Sequence, residues 1–576
     1  MAQTVAKKEF ERWMQYPHLS LEMKQDMEAI KDNAEEIELR FGSSMSFGTA
    51  GLRATMHAGP ACMNVYTVAQ ATQGIAALLL QENGQSRGVA IAYDSRNHSR
   101  DFAIASAEVL AGNGICVYLF DDIRPTPELS FAVRELGCMA GINITASHNP
   151  KEYNGYKAYW EDGAQISPAQ TKVVADAIGQ IDMLGGAKSM PLDEGVEKGL
   201  IHWLGSDFDK RYLEAVEKTA VNPTLISETA ESLKIVYTPL HGTGYRLVPD
   251  ILHRAGLRHL YTVPSQMVPD GDFPTVAKPN PEYAEVFAEG IALAEEKGSD
   301  LVIATDPDAD RVGVMSRTKD GSFTTITGNQ MGALLLDYVI SARRERGVLS
   351  KNDYAVKSFV STDLACKITE ESGVTLYDVF TGFKFIGEVI KNYETSGKEG
   401  TFLCGFEESY GYLFGTYARD KDAVGAVLLI VEMTAYYRKK EMTLSDALQA
   451  LYEKYGLYRE GVLDLYMTGL DGIERRQKTM DNLRQKPPVE IGGVQVLTLT
   501  DHLAQTTYSL ANGSKTSTGC GVTDALYFVL ENGDKVVVRP SGTEPKIKLY
   551  FLCHGENDAI LSEQIEKYKQ DMQALV

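Results

Sequence analysis

The sequence predicts an α/β fold that ends in a smaller α+β domain, and three observations predict it. A short apolar, β-branched run breaks abruptly into a loop of Gly, Ser, Asp, His or Arg in GVAIAYDSR (88–96), AGINITASHNP (140–150), LKIVYTPLHGTG (233–244), DLVIATDPDADR (300–311), TFLCGFEESYGY (401–412) and DKVVVRPSGTEP (534–545). Strands buried on both faces have this continuous apolar pattern, and the helical stretches between them, such as Phe102 to Asn113 and Glu282 to Lys297, fit crossover helices. The last strand pair differs: KVVVRP and KIKLYFLCH flank a tight loop with alternating polarity, as an antiparallel hairpin does.

The elements follow in order. Residues 1–40 carry six basic and nine acidic side chains around Ile30, Ala34 and Ile37, whose spacing predicts an amphipathic helical lead-in. A length of 576 residues gives about four domains at roughly 150 residues each. Joints in Pro/Gly-rich or charged stretches set them at 41–207 with the TASHNP loop, 208–318 with the aspartate loop, 319–455 with the FEESYG loop, and 456–576 with the RPSGTEPK loop. In open α/β sheets ligands gather beyond the carboxyl ends of strands, so six such loops predict one shared cleft.

Composition narrows the function. Hydrophobic residues make up 44% and charged ones 23%, which is ordinary for a globular protein. A net charge of −21 disfavours nucleic acid or an anionic membrane as partner, so any phosphate must be held by a local site. Seven cysteines without CxxC spacing indicate neither a disulfide framework nor a zinc knuckle, and fit a reducing cytoplasm. The N-terminus lacks an apolar core of signal-peptide length. The longest apolar run, Ala423 to Val431, is nine residues against the ~20 that cross a bilayer, so a soluble protein is expected.

Four loops carry chemistry. Asp306, Asp308 and Asp310 stand at i, i+2 and i+4 and can converge on one hard cation, Mg²⁺ or Ca²⁺. An EF-hand would need Gly and Glu where Arg311 and Arg317 stand, which removes calcium sensing, and Arg311 could hold a phosphate oxygen. Ser147 is a nucleophile candidate, but His148 as its sequence neighbour is poorly placed to turn its ring toward it. Esterified with phosphate, Ser147 would complete the aspartate site; the alternative is a plain turn in which Asn149 bonds its own backbone. Arg539, Ser541, Gly542 and Thr543 resemble a phosphate cradle, or else a hairpin turn. Glu407 and Ser409 offer acceptors for sugar hydroxyls, or alternatively cap a helix. Arg53, Arg96, Lys157, Lys384 and Lys421 lie at loop ends where a dianion would want them, although a surface ion pair is the commoner role for any one.

TASHNP, DPDADR, FEESYGY and RPSGTEPK, in that order and at these intervals, resemble the α-D-phosphohexomutase superfamily of phosphoglucomutases and phosphomannomutases over roughly residues 40 to 552. GTAGLR, TGFKFIG and PSGTEPKIK are most similar to the branch of bacterial phosphoglucomutases and eukaryotic phosphopentomutase-type proteins. The resemblance implies three similar α/β domains, each a mixed sheet sandwiched by helices, and a C-terminal α+β domain closing over the cleft. It implies Ser147 as phosphoserine and Asp306, Asp308 and Asp310 as ligands of one Mg²⁺ together with the phosphoryl oxygen on Ser147. Glu407 and Ser409 would read sugar hydroxyls, Thr381 and Lys421 would be substrate contacts, and Arg539, Ser541, Gly542 and Thr543 would hold the non-reacting phosphate. Lys157 and His148 would be the candidates for proton transfer; where some bacterial relatives have a histidine after the sugar-loop glycine, this chain has Tyr412.

The function expected is a reversible phosphoglucomutase that interconverts glucose 1-phosphate and glucose 6-phosphate. Glucose 1,6-bisphosphate serves as intermediate and activator, Arg53, Ser147, His148 and Lys157 as catalytic residues, and Arg311 and Lys384 as further substrate contacts. Alternatives are phosphomannomutase or phosphopentomutase activity, a metal-dependent phosphatase, and a silent sugar-phosphate binder. Small-molecule sugar phosphates are the expected partners, with no nucleic acid and no membrane, in a monomer or weak dimer.

Overall fold

The computed structural model describes residues 2–48, 51–467, 472–541 and 546–575. It divides into two compact units, one of residues 1–327, 386–398 and 410–443, the other of residues 328–385, 399–409 and 444–576.

The first unit opens with three helices, Ala2–Met14, Leu21–Ile30 and Ala34–Phe41. Ser20 and Asn33 cap the second and third by accepting from the backbone N–H of Met23 and Glu36, which breaks the lead-in at residues 31–33. The apolar stripe is thereby corrected: Ile30 is buried, whereas Ala34, the first residue after the Asn33 cap, faces solvent. Phe10, Trp13, Met27 and Phe41 form the core that holds these helices, with Phe10 edge-on to Phe41 at a centroid distance of 5.2 Å.

Two mixed sheets follow in this unit. The first runs in the order Leu52–Thr55, Tyr153–Trp160, Ala140–Ile144, Val89–Tyr93, Val117–Phe120, Ile201–Leu204. Its last four strands are parallel, and Tyr153–Trp160 is antiparallel to both neighbours. Val89–Tyr93 and Ala140–Ile144 are buried at every position, as their unbroken apolar runs require. Helices Val65–Gln81, started by an Asn64–Thr67 capping box, and Ser99–Gly112 cover the sheet. The second sheet has the order Phe323–Ile326, Val312–Arg317, Leu301–Thr305, Lys234–Thr238, His259–Thr262. The stretch expected to be one helix from Glu282 begins instead as a 3₁₀ turn, Ala284–Phe287, and becomes α-helical at Ala288–Lys297.

In the second unit Thr375–Val379, Tyr354–Ser358 and Phe402–Glu407 lie side by side and parallel. The C-terminal sheet is antiparallel throughout, in the order Leu457–Tyr466, Lys546–Gly555, Lys535–Pro540, Leu526–Leu530, Val494–Asp501, Thr506–Ser509, Lys515–Ser517. Helix Asp558–Leu575 buries Leu561, Ile565, Tyr568 and Met572 in its core. The expected hairpin is the pair Lys535–Pro540 and Lys546–Gly555. All seven cysteines are free thiols. Among the described residues, no helix is long and apolar enough to cross a membrane.

Candidate active site

Strand Leu301–Thr305, buried at every position, delivers the aspartate loop. The loop folds back on itself because Ala309 adopts a left-handed φ of 48° and donates its N–H to Asp306 O, while Asp306 Oδ1 accepts from the N–H of Asp310 and Arg311. All three carboxylates are buried, with ligand oxygens within 4.8 Å of one another. Burial, then Asp308 and Asp310, pushes Asp306 well above the usual carboxylate range. Burial, then Asp308, also raises Asp310. Asp308 is held low: burial acts against ionisation, but Lys157 at 2.8 Å and the Thr126 hydroxyl at 2.8 Å outweigh it. Asp308 Oδ1 and Asp310 Oδ1 are buried and have no hydrogen-bond partner. A concentrated set of anionic oxygens with unsatisfied lone pairs fits a hard divalent cation.

Ser147 reaches this cluster from the end of strand Ala140–Ile144. Its φ is 52°, its N–H donates to Thr145 Oγ1, and its own Oγ donates to Asp306 Oδ2 at 2.7 Å. His148 Nδ1 lies 3.1 Å from the same Oγ. The expectation that a sequence neighbour is poorly placed to turn its ring toward Ser147 is corrected here: the left-handed serine swings the next residue round. Because the single Oγ proton goes to Asp306, the Nδ1–H tautomer of His148 completes both bonds. Burial, then Arg311 and Arg53, holds the His148 imidazole well below its ordinary pKa, so it is neutral at pH 7.

The cations divide by role. Lys157, on strand Tyr153–Trp160, is buried and pairs with Asp308 at 2.8 Å and Asp310 at 3.9 Å. Lys421 pairs with Asp310 at 3.1 Å and with Asp420 at 2.9 Å. Arg311 pairs with Glu282 at 2.7 Å. Arg53 donates to Asn149 Oδ1, so the asparagine serves an arginine side chain. Arg96 is the clear departure: its guanidinium is fully buried and donates to the carbonyls of Ser147, Asn149, Pro150 and Tyr153, gripping the serine loop.

Several partners were not singled out by sequence. Asn143 donates to Thr126 Oγ1, which donates in turn to Asp308. Tyr159 donates to Asp420 at 2.8 Å. Asp420 was readable as part of the charged RDKDA stretch, but nothing in RPTPE marks Thr126 as a partner of an aspartate 182 residues away. An isolated bridge joins Arg311 to Gly411, and the Lys421 stem crosses Gly411 so closely that a Cβ there would fall 2.1 Å from Lys421 Cδ. Tyr412 is buried, and burial, then Tyr410 and Glu282, keeps its phenol protonated.

In the second unit Glu407 is buried and its Oε1 accepts from the Gly382 N–H at 2.7 Å, at the start of helix Phe383–Ser396. The helix-capping reading of this loop therefore holds for one of its oxygens. The Thr381 Oγ1 beside it is buried without a hydrogen-bond partner. Lys384 Nζ lies 5.3 Å from the Phe385 ring centroid, and Ser409 is half-buried. Glu408 accepts from Ser358 Oγ at 3.1 Å. Burial, then Glu408, raises the Tyr550 phenol while Arg539 opposes, so Arg539 lies close to Tyr550. Arg476 donates to Ser541 O at 2.8 Å. Gly542 and Thr543 lie outside the described residues.

Comparisons with known proteins agree over most of the chain. Models of the phosphoglucomutase/phosphomannomutase alpha/beta/alpha domains I, II and III match residues 44–184, 210–321 and 327–455, and that of the C-terminal domain matches 484–567. A phosphoglucomutase of Staphylococcus saprophyticus is 36% identical over 532 residues, 92% of this chain and 94% of that one. One of Staphylococcus epidermidis is 35% identical over 548 residues, 94% and 97% of the two chains. Among solved structures, a phosphoglucomutase/phosphomannomutase family protein from Burkholderia thailandensis superposes with a TM-score of 0.64 at 18% identity, covering 92% of this chain and 97% of its own. The open form of the Paramecium phosphoprotein pp63/parafusin gives 0.65 at 18% identity, covering 92% and 95%. These two structures bear on the fold, and the sequence matches on the family. With all four domain models in order and curated relatives matched over more than nine-tenths of their length, the chain belongs to the phosphoglucomutase/phosphomannomutase family of α-D-phosphohexomutases.

Proposed function

We propose that the chain is a phosphoglucomutase, which interconverts glucose 1-phosphate and glucose 6-phosphate through a phosphorylated Ser147 and glucose 1,6-bisphosphate. The observation that carries this reading is the 2.7 Å approach of Ser147 Oγ to Asp306 Oδ2, in a loop whose three buried carboxylates crowd within 4.8 Å. Glucose is favoured because relatives at 34–36% identity are named phosphoglucomutase.

In this reading Asp306, Asp308 and Asp310 hold one Mg²⁺ with an oxygen on Ser147, and that ion when bound withdraws electron density from the phosphoryl group. A sugar hydroxyl attacks phosphorus; the new P–O bond forms as the bond to Ser147 Oγ breaks, the hydroxyl proton passes to neutral His148, and the Lys157 ammonium supplies the proton that Ser147 Oγ takes up. The bisphosphate turns over, and its other phosphoryl group returns to Ser147. Asp308 fixes Lys157, and Arg53 holds Asn149 of the serine loop. Lys421 and Arg311 add positive charge beside Asp310 for the dianion. In the second unit Thr381, Lys384, Glu407 and Ser409 are the proposed sugar contacts, and Arg539, Ser541, Gly542 and Thr543 the proposed grip on the non-reacting phosphate.

Comparing kcat/KM for glucose 1-phosphate, mannose 1-phosphate and ribose 1-phosphate on one preparation tests the assignment. Glucose 1-phosphate is expected to lead. A clear preference for the pentose rejects the sugar, and release of inorganic phosphate in step with substrate loss rejects the mutase.

A further inference from the structure

The serine loop and the aspartate loop come from different sheets, yet one segment of the first unit touches what holds each of them. Residues 266–275, QMVPDGDFPT, follow strand His259–Thr262 and reach Arg96 and Asn97, just beyond strand Val89–Tyr93. Phe273 is 2% exposed, has a left-handed φ of 46°, and lies with its ring 5.0 Å from the Arg96 guanidinium carbon. Arg96 is the group that donates to four carbonyls of the 147–153 loop. Two residues before Phe273, Gly271 lies against the backbone of Asn97; a Cβ there would sit 2.4 Å from Asn97 N.

At its other end the same segment is tied to the aspartate loop. His241 is buried; its Nδ1–H donates to Val268 O at 2.9 Å, and its Nε2 lies 2.9 Å from Thr275 Oγ1. Gln266 accepts from Thr238 and from the His241 N–H, and donates to Thr275 Oγ1. The chain next to His241 abuts Pro307, between the first two aspartates: Thr243 N–H donates to Pro307 O at 2.8 Å, and a Cβ on Gly242 would lie 2.4 Å from Pro307 Cα. Leu240 and His241 are both left-handed, with φ of 47° and 64°. Three strained non-glycine residues around one segment mark a conformation that its surroundings enforce.

We propose that residues 266–275 are a positioning bracket that sets Ser147 against Asp306, with Phe273 seating Arg96 and His241 locking the segment to the aspartate loop. Their catalytic consequence rests on the mutase reading above; the packing does not. None of these side chains touches the reacting atoms, so they act by fixing the distance across which phosphoryl transfer occurs, and small misplacement of a reacting group is costly.

The test compares Phe273→Leu, Phe273→Tyr and Thr275→Val in the full chain by steady-state kinetics and by hydrogen exchange of residues 145–153. Phe273→Leu is expected to lower kcat roughly 10- to 100-fold with KM changed less than about threefold, and to speed exchange at 146–152. Phe273→Tyr, which keeps the ring face, restores both, and Thr275→Val gives the same pattern more weakly. Unchanged exchange at 146–152 in Phe273→Leu overturns the bracket, as does wild-type kcat. If Phe273→Leu fails to fold, Thr275→Val decides on the same two readouts. A wild-type chain inactive on glucose phosphates rejects the phosphoglucomutase reading instead, while the exchange comparison still decides the bracket.

Discussion

Ser147, at the smallest scale, combines a left-handed backbone angle with a loop gripped by Arg96. A left-handed φ at a non-glycine residue turns the hydroxyl onto Asp306 and lets His148 share it. Residue type and spacing made Ser147 and the three aspartates legible in the sequence. The dihedral angle was not legible, and so the His148 contact was missed. Arg96 was misjudged for a related reason: a basic group at a strand end serves a bound anion or the loop's own carbonyls, and only geometry separates the two. Ser147→Ala is expected to lower mutase turnover by at least about 10³-fold while leaving Mn²⁺ binding, measured by calorimetry, within about tenfold. Gly411→Ala puts a methyl 2.1 Å from Lys421 Cδ and should displace that ammonium from Asp310. Its kcat/KM is expected to fall roughly ten- to a hundredfold, and the same change in a Lys421→Ala background should have little further effect.

Elements were legible wherever the apolar pattern was continuous. The strands ending at Tyr93, Ile144, Thr238 and Thr305 sit inside the runs that predicted them, because burial on both faces leaves few other residue choices. Helix ends were less legible: the Asn33 cap splits the lead-in, and the 3₁₀ turn at Ala284–Phe287 has no compositional mark. In the second unit, strand Leu457–Tyr466 carries Glu460, whose carboxyl is pushed up to about 7 by burial, opposed by the Thr362 hydroxyl and joined by Asp363. A folded-state pKa above the ordinary 4.5 means the native chain holds this proton more tightly than the unfolded one. Its contribution is therefore present at low pH and lost as pH rises from about 4.5 through about 7. Glu460→Gln should raise the melting temperature relative to wild type at pH 8 and show a smaller difference at pH 5. Parallel melting curves at the two pH values would contradict this.

Across the whole molecule, a net charge of −21 means that a sugar phosphate has to be held by local cations, and the sequence stated that requirement without saying which cations meet it. The structure surrounds the aspartates with Lys157, Lys421 and Arg311. Strand order was the part beyond sequence reading, since pairings such as Arg53 with Gly155 are set by packing over long separations. Metal dependence follows from the same crowding: activity should vanish with a chelator and return with Mg²⁺, because buried carboxylates that repel one another need a cation when ionised. The most direct test is peptide-resolved mass spectrometry after incubation with glucose 1,6-bisphosphate and Mg²⁺. The account predicts one phosphate per chain, on Ser147, removed by adding glucose 1-phosphate or glucose 6-phosphate; a phosphate on any other residue, or none, would contradict it.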